Sequence, residues 1–190
     1  MITDFKKYGD THNMMLIKYI DNDDYLSFSE KLDVSKIKIT SETLPSINPL
    51  FYSIKKNKIK YTKLLIDNNV YLGKQGKDNY TALIYSTINP EDTEMFKLIL
   101  KHSKEYINDH DNYGYTALMA LFEDNIHKTK IFEYIRLLID AGADPFFKNN
   151  RNNSLFHLLE IHSMIDIFFN KFPKIKKKYD IFKKRNKFNL

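Results

Sequence analysis

The chain is expected to fold as an all-α repeat solenoid, and three observations point there. The first is a self-contained unit from Asp111 to Lys148: a Gly-centred turn (DNYGYT), a short apolar run (ALMALF) and a longer one (IFEYIRLLIDAGADPF). The second is recurrence. The short run returns with an offset of 33 residues from Pro49 to Ala82, and 35 from Ala82 to Ala117. The third is spacing: Ile131, Ile135, Leu138 and Ile139 share one face of a helix. Units of this size cannot bury their apolar faces alone, so they stack on one another into elongated arrays.

Each position in the unit has a physical job. Gly114 stands at a tight tip that calls for positive φ, which glycine adopts without penalty. Thr116 precedes the apolar run as an N-cap, its hydroxyl available to the unpaired N–H groups of the first turn. Ala117 and Ala120 keep the short helix slim where a neighbouring helix approaches, while Leu118 and Leu121 enter the core. Gly142 ends the second helix in a left-handed conformation. Asp144-Pro145 then turns the chain away, since proline cannot continue a helix.

The wording GYTALMAL…LLIDAGADP resembles the ankyrin-repeat family. That family's pattern is a hairpin tip, T-P-L-H-x-A on a first helix, and a second helix ending L-L-x-x-G-A-D. The resemblance covers residues 12–172. One departure recurs: Phe51, Ile84, Met119 and Phe156 stand where the family has its motif histidine. These repeats are therefore expected to be held by apolar packing instead of a histidine–threonine hydrogen bond.

Taken in order, residues 1–33 read as a degenerate N-terminal capping repeat. Its apolar runs are Met14, Met15, Ile17, Ile20 and then Tyr25, Leu26, Phe28, Leu32, parted by Asp21-Asn22-Asp23-Asp24. Residues 34–172 hold about four repeats, at approximately 44–75, 76–110, 111–147 and 148–172. A long connection, DVSKIKITSETLPSI, precedes the first of these, and its alternating KIKIT allows a short extended piece. Asn48 replaces the capping threonine, and Asn69 and Asn79 occupy left-handed positions where the family has glycine. Asn89-Pro90 ends the next first helix. Glu123 to Lys130 lengthen the helix–helix loop of the following repeat. Residues 173–190 form a basic cap helix and tail, with Ile175, Tyr179 and Phe182 on one face to close the stack.

The composition restricts the function classes. The 190 residues carry a net charge of +6, but residues 171–190 hold +8 of it, so the body is slightly acidic. With no cysteine there is no disulfide framework, no thiolate nucleophile and no cysteine-based zinc site. A signal-peptide apolar core and a membrane-length apolar run are both missing. The simplest reading is an intracellular, cytoplasmic protein, with the nucleus left open by the basic tail. Abundant Lys, Asn, Ile, Tyr and Phe suit an AT-rich genome, such as that of some large DNA viruses, intracellular bacteria or protists.

Catalytic and metal motifs find little support. His157-Leu-Leu-Glu160-Ile-His162 is neither H-E-x-x-H nor H-x-x-E-H, and its histidines, five apart, do not share a helical face. Asp109-His110-Asp111 reads as turn chemistry, with aspartate folding the backbone onto itself. There is no G-x-S-x-G and no P-loop, and Gly73-x-x-Gly76 is too sparse to cradle phosphate. No enzyme activity, metal, cofactor or small-molecule substrate is expected.

The resemblance implies a protein–protein interaction module, an adaptor or host-interaction factor, with the hairpin tips and first-helix face meeting the partner. Carried over position by position, the protein-binding candidates are Tyr52, Lys56, Tyr80, Tyr85, Asn112, Tyr113, Tyr115, Asn150 and His157. The tyrosines among them would form an aromatic strip, and tyrosine suits interfaces because it buries area while keeping a polar handle. Lys55, Lys77, Asp78, Ile88, Glu123, Asn149, Asn152 and Glu160 complete the surface so mapped. The alternative is a binder of nucleic acid or anionic membrane acting through Lys176, Lys177, Lys178, Lys183, Lys184 and Arg185, with the repeats as scaffold. Many poxvirus members of the family end in an F-box-like segment; the Pro173-led tail has no such motif, so ubiquitin-ligase recruitment is not carried over. A monomer is expected.

Overall fold

The computed structural model describes residues 11–41, 43–88, 93–122 and 130–187. Its helices come in pairs: α1 (Thr11–Asp21) with α2 (Tyr25–Lys31), α3 (Pro49–Lys55) with α4 (Ile59–Asp67), α5 (Ala82–Ile88) with α6 (Thr93–His102), α7 (Ala117–Ala120) with α8 (Ile131–Asp140), and α9 (Leu155–Ile161) with α10 (Ile165–Lys171). A single longer helix, α11 (Pro173–Lys187), follows. Among the described residues no strand forms; the tips close on isolated bridges, Gln75 with Tyr80 and His110 with Thr116. The KIKIT segment contributes no strand, and a 3-10 turn at Val34–Lys36 precedes it. The Asn89-Pro90 break and residues 123–129 of the insert lie outside the described residues.

First helices pack on first helices: α3 touches α1 and α5, and α7 touches α5 and α9. Second helices form the other layer, α4 lying against α2 and α6. Between the layers runs one apolar core that includes Leu16, Phe28, Leu50, Leu65, Leu83, Phe96, Leu118, Ile135, Leu138, Leu155 and Phe168. Phe51, Ile84, Met119 and Phe156, at the motif-histidine positions, are all buried, so apolar packing does hold the repeats there. The second-helix layer is bound by edge-to-face rings, Phe28 with Tyr61 at 4.9 Å and Phe96 with Tyr134 at 4.8 Å. Such pairs add roughly 0.5–1.5 kcal/mol beyond their buried area. Leu137 is only half-buried, while Tyr134, one turn earlier on α8, takes an interior place.

Local chemistry explains where the helices start and stop. Asn48 accepts from the N–H groups of Leu50 and Phe51 at 2.9 and 3.3 Å, which caps α3. Thr81 accepts from Ile84 N–H at 3.0 Å at the head of α5. Thr116 departs from the expectation: its hydroxyl caps nothing and is buried without a partner. The first turn of α7 relies on main-chain bonds to the Thr116 carbonyl instead. Gly142 has φ +102 and open space where a Cβ would sit, whereas Gly114 has φ +81 and the backbone nitrogen of Asn150 only 2.7 Å from that position. Asn69 and Asn79 adopt positive φ as expected, and so do Asp23, Asn57 and Ser163 in the helix–helix loops.

At the C-terminal end, α11 lies on the last repeat by its aromatic face. Tyr179 meets Phe156 at 4.4 Å and Phe169 at 5.1 Å, and Phe182 meets Phe146 at 5.3 Å. The cap expected from Ile175, Tyr179 and Phe182 is thus formed, since all three pack on the end of the core and remain only partly covered themselves.

Candidate protein-binding face

The hairpin tips are joined to each other. Asn112 donates its backbone N–H to the Asp78 carbonyl at 3.1 Å and its side-chain amide to the Lys77 carbonyl at 2.8 Å. It also receives the Asn79 amide at 2.6 Å. One repeat later, Asn150 repeats the pattern: its N–H reaches the Tyr113 carbonyl at 3.2 Å and its amide the Asn112 carbonyl at 2.8 Å. One repeat earlier, Lys77 N–H donates to the Thr43 carbonyl at 3.1 Å. Beneath the tips, Asp111 accepts from Tyr113 and Tyr115 N–H, and Asn149 from Arg151 and Asn153 N–H. Asp111 and Asn149 therefore fold their own tips, and Asn112 and Asn150 tie each tip to the one before. Asn112 and Asn150, mapped as partner contacts, have their hydrogen-bonding groups engaged in this ladder.

The tyrosines do not form one strip. Tyr85 is only 6% exposed and stacks on Phe51 at 4.7 Å, so the residue mapped as exposed is part of the core. Burial raises its phenol pKa. The cause lies in the neighbouring repeat: Phe51, where the family has histidine, offers a flat apolar face for Tyr85 to cover. Tyr80 leans on Tyr85 at 6.0 Å. Tyr115 is half-buried, and Tyr113 projects from its tip with 61% of its surface exposed. Tyr52 is half-buried, with its hydroxyl donating to Asp21 on α1. Burial, and then the Asp21 carboxylate, push the Tyr52 phenol up to about 12, so it remains a donor at neutral pH.

Position x of the T-P-L-H-x-A stretch shows where the first-helix face is open. It is held by Tyr52, Tyr85, Ala120 and His157 in successive repeats. The two middle ones are buried and close the surface, while His157 is exposed. Toward the N-terminal end a groove of about 370 Å³ opens between α1 and α3, lined by Met14, Ile17, Lys18, Asp21, Asn22, Ser46 and Tyr52. Met14 and Ile17 supply its apolar wall. The Tyr52–Asp21 bond spans it, tying the two helices together. Lys18 lines it and Lys56 lies over the Tyr52 ring at 5.6 Å from its centre, both exposed, as is Lys55, the residue before Lys56 in sequence. Among the described residues none of these three lysines is in an ion pair. Except for Tyr52, the groove's lining falls outside the motif-based mapping, because α1 and the Pro45–Ile47 turn belong to segments that depart from the repeat pattern. The readable signal was Lys18: a charge within the apolar run Met14 to Ile20.

Among the described residues, histidines and acids near this face have separate partners. His162 stacks on Phe122 at 5.4 Å, His110 Nδ1 bonds to the Asp111 carbonyl at 2.9 Å, and Glu160 accepts from Tyr179 at 3.4 Å. Among the described residues no three of His, Asp or Glu converge on a site for a metal ion. Glu123, mapped to this face, lies outside the described residues. No helix among the described residues is long and apolar enough to cross a membrane.

Comparison with known proteins agrees with this architecture. A family model described as ankyrin repeats (3 copies) matches residues 50–149. An ankyrin repeat protein of Acanthamoeba polyphaga mimivirus is 26% identical over 149 residues, which is 63% of this chain. The match spans 19% of that much longer relative. Among solved structures, the crystal structure of the ankyrin repeat protein EF0377 superposes with a TM-score of 0.63 at 18% identity, covering 80% of this chain and 78% of that one.

Proposed function

Because the chain belongs to the ankyrin-repeat family, whose members generally serve as non-catalytic protein–protein interaction modules, we propose that it binds a protein partner through its first-helix face. The observation that carries this is the groove between α1 and α3, an apolar slot beneath a lysine rim. Its chemistry favours an apolar side chain of the partner, seated against Met14 and Ile17, with acidic residues beside it to meet Lys18, Lys55 and Lys56. Tyr113, exposed on its tip, supplies a second contact, and His157 a third toward the far end. Asn112, Asn150 and Tyr85 serve the scaffold. The chain acts inside a cell as a monomeric adaptor, and the mimivirus relative together with the AT-rich residue usage supports a host-interaction role.

The test is affinity purification with the intact chain, followed by titration of the recovered partner against Met14→Glu. The charged side chain is expected to weaken binding at least tenfold, as burying an unpaired carboxylate in an apolar contact is unfavourable. Unchanged affinity in a variant that melts like the parent would overturn the assignment of the groove.

A further inference from the structure

The outer surface of α11 is built differently from every other helix described. Lys174, Lys176, Lys177, Lys178, Lys183 and Lys184 are all exposed along this one helix. Asp180 is the one acidic residue on the helix itself, and Glu160 of α9 reaches Tyr179 at its docked side. Lys176 and Lys183 lean over the rings of Phe169 and Tyr179, at 6.0 and 5.5 Å, at the edge of the docked seam. Lys174, Lys177, Lys178 and Lys184 make no ion pair among the described residues.

For a helix whose task is to close the stack, this arrangement is unfavourable. The seam of Ile175, Tyr179 and Phe182 does the closing, and any soluble residues would serve outside it. Lys174 stands in the first turn, where the positive end of the helix dipole repels a cation. Lys174 and Lys178 are a like-charge pair four apart, which weakens a helix, and Lys174 and Lys177 are another, three apart. Repulsion of this kind is relieved by an anionic ligand with several regularly spaced charges.

We propose that the outer face of α11 is a contact for the phosphate backbone of a nucleic acid duplex. Two observations favour a backbone over other polyanions. The aromatic residues of α11 are packed against Phe146, Phe156 and Phe169, so none is presented for stacking on unpaired bases, and the contact reads no sequence. The same docking engages the helix's apolar face, and Ile181 is its one exposed large apolar side chain among the described residues, so α11 has no free apolar stripe to lay into a bilayer. From Lys174 to Lys184 the row runs about 15 Å at about 1.5 Å per residue, enough for a few successive phosphates.

The experiment is a fluorescence-anisotropy titration of the intact chain with a labelled 20-base-pair duplex of arbitrary sequence. With about four phosphates engaged, affinity should fall about a hundredfold between 50 and 200 mM salt. The combined variant Lys174→Gln, Lys177→Gln, Lys178→Gln, Lys184→Gln should lose at least tenfold in affinity at 50 mM salt and most of its salt dependence. Its melting temperature should be unchanged or higher, because repulsion has been removed. Met14→Glu should bind the duplex like the parent. A parallel arm uses vesicles containing phosphatidylserine at the same salt. The proposal is overturned by failure to bind the duplex at 50 mM salt, by equal binding in the four-glutamine variant, or by tighter binding to the vesicles than to the duplex.

Discussion

The hairpin tips and the groove between α1 and α3 are both polar and exposed in parts, yet they are committed very differently. At the tips, the side-chain amides of Asn79, Asn112 and Asn150 all bond to a neighbouring repeat. At the groove, the Tyr52–Asp21 bond holds the floor together, while Lys18, Lys55 and Lys56 have no carboxylate partner among the described residues. An exposed polar residue is therefore not by that fact available to a partner. The tips are inter-repeat adhesive, and the groove is a surface left open among the described residues.

Substitutions that sharpen this contrast fall in a definite order. The largest effect belongs to the core beneath both regions. Leu138→Ala should lower stability by about 2–5 kcal/mol in a chemical-denaturation experiment, and the half-buried Leu137→Ala by less than half as much. Next comes the tip glycine. Gly114→Ala combines φ +81 with a Cβ 2.7 Å from the Asn150 backbone, and should cost about 3 kcal/mol. Gly142→Ala, at φ +102 with open space around it, should cost only about 1 kcal/mol. Equal losses at the two glycines would mean that the tips do not pack as tightly as the ladder implies. Asn112→Ala removes two side-chain bonds to the preceding tip, with Lys77 and Asn79, and should cost about 1–2 kcal/mol, without altering partner affinity.

The smallest effect is electrostatic. The Asp33 carboxyl is held down to about 2 by Ser35 and Lys36. The Asp23 carboxyl is lowered by Lys60 and Lys58, which link the first repeat to the second. Both folded pKa values lie below the unfolded one, so each contribution is present above the unfolded carboxyl pKa and is lost as pH falls through the folded one, about 2 for Asp33. Asp33→Asn and Asp23→Asn should each lower stability slightly at neutral pH, where the contribution is present, leave it unchanged at the acid end, and so flatten the stability–pH profile.

Much of the fold was legible because each repeat restates the same local rules. Asn48, Asn69, Asn79, Gly114 and Gly142 carry out the backbone roles that their types imply. Burial within a repeat position was harder to read. Tyr52 and Tyr85 occupy the same position 33 residues apart, but one bonds to Asp21 at the rim and the other stacks on Phe51 inside. That difference is set by the preceding repeat, not by the residue's own unit. Thr116 likewise matched its motif and yet makes no cap. The groove was hidden for a related reason: its wall is α1, where the motif has decayed and alignment by pattern gives no surface positions.

The most direct measurement is the affinity of the purified partner for Met14→Glu and Asn112→Ala beside the parent chain, with the melting temperature of each. The account predicts that Met14→Glu loses at least tenfold in affinity while melting like the parent, and that Asn112→Ala melts lower while binding like the parent. Weakened binding in Asn112→Ala with full affinity in Met14→Glu would contradict it, and would place the partner on the tips.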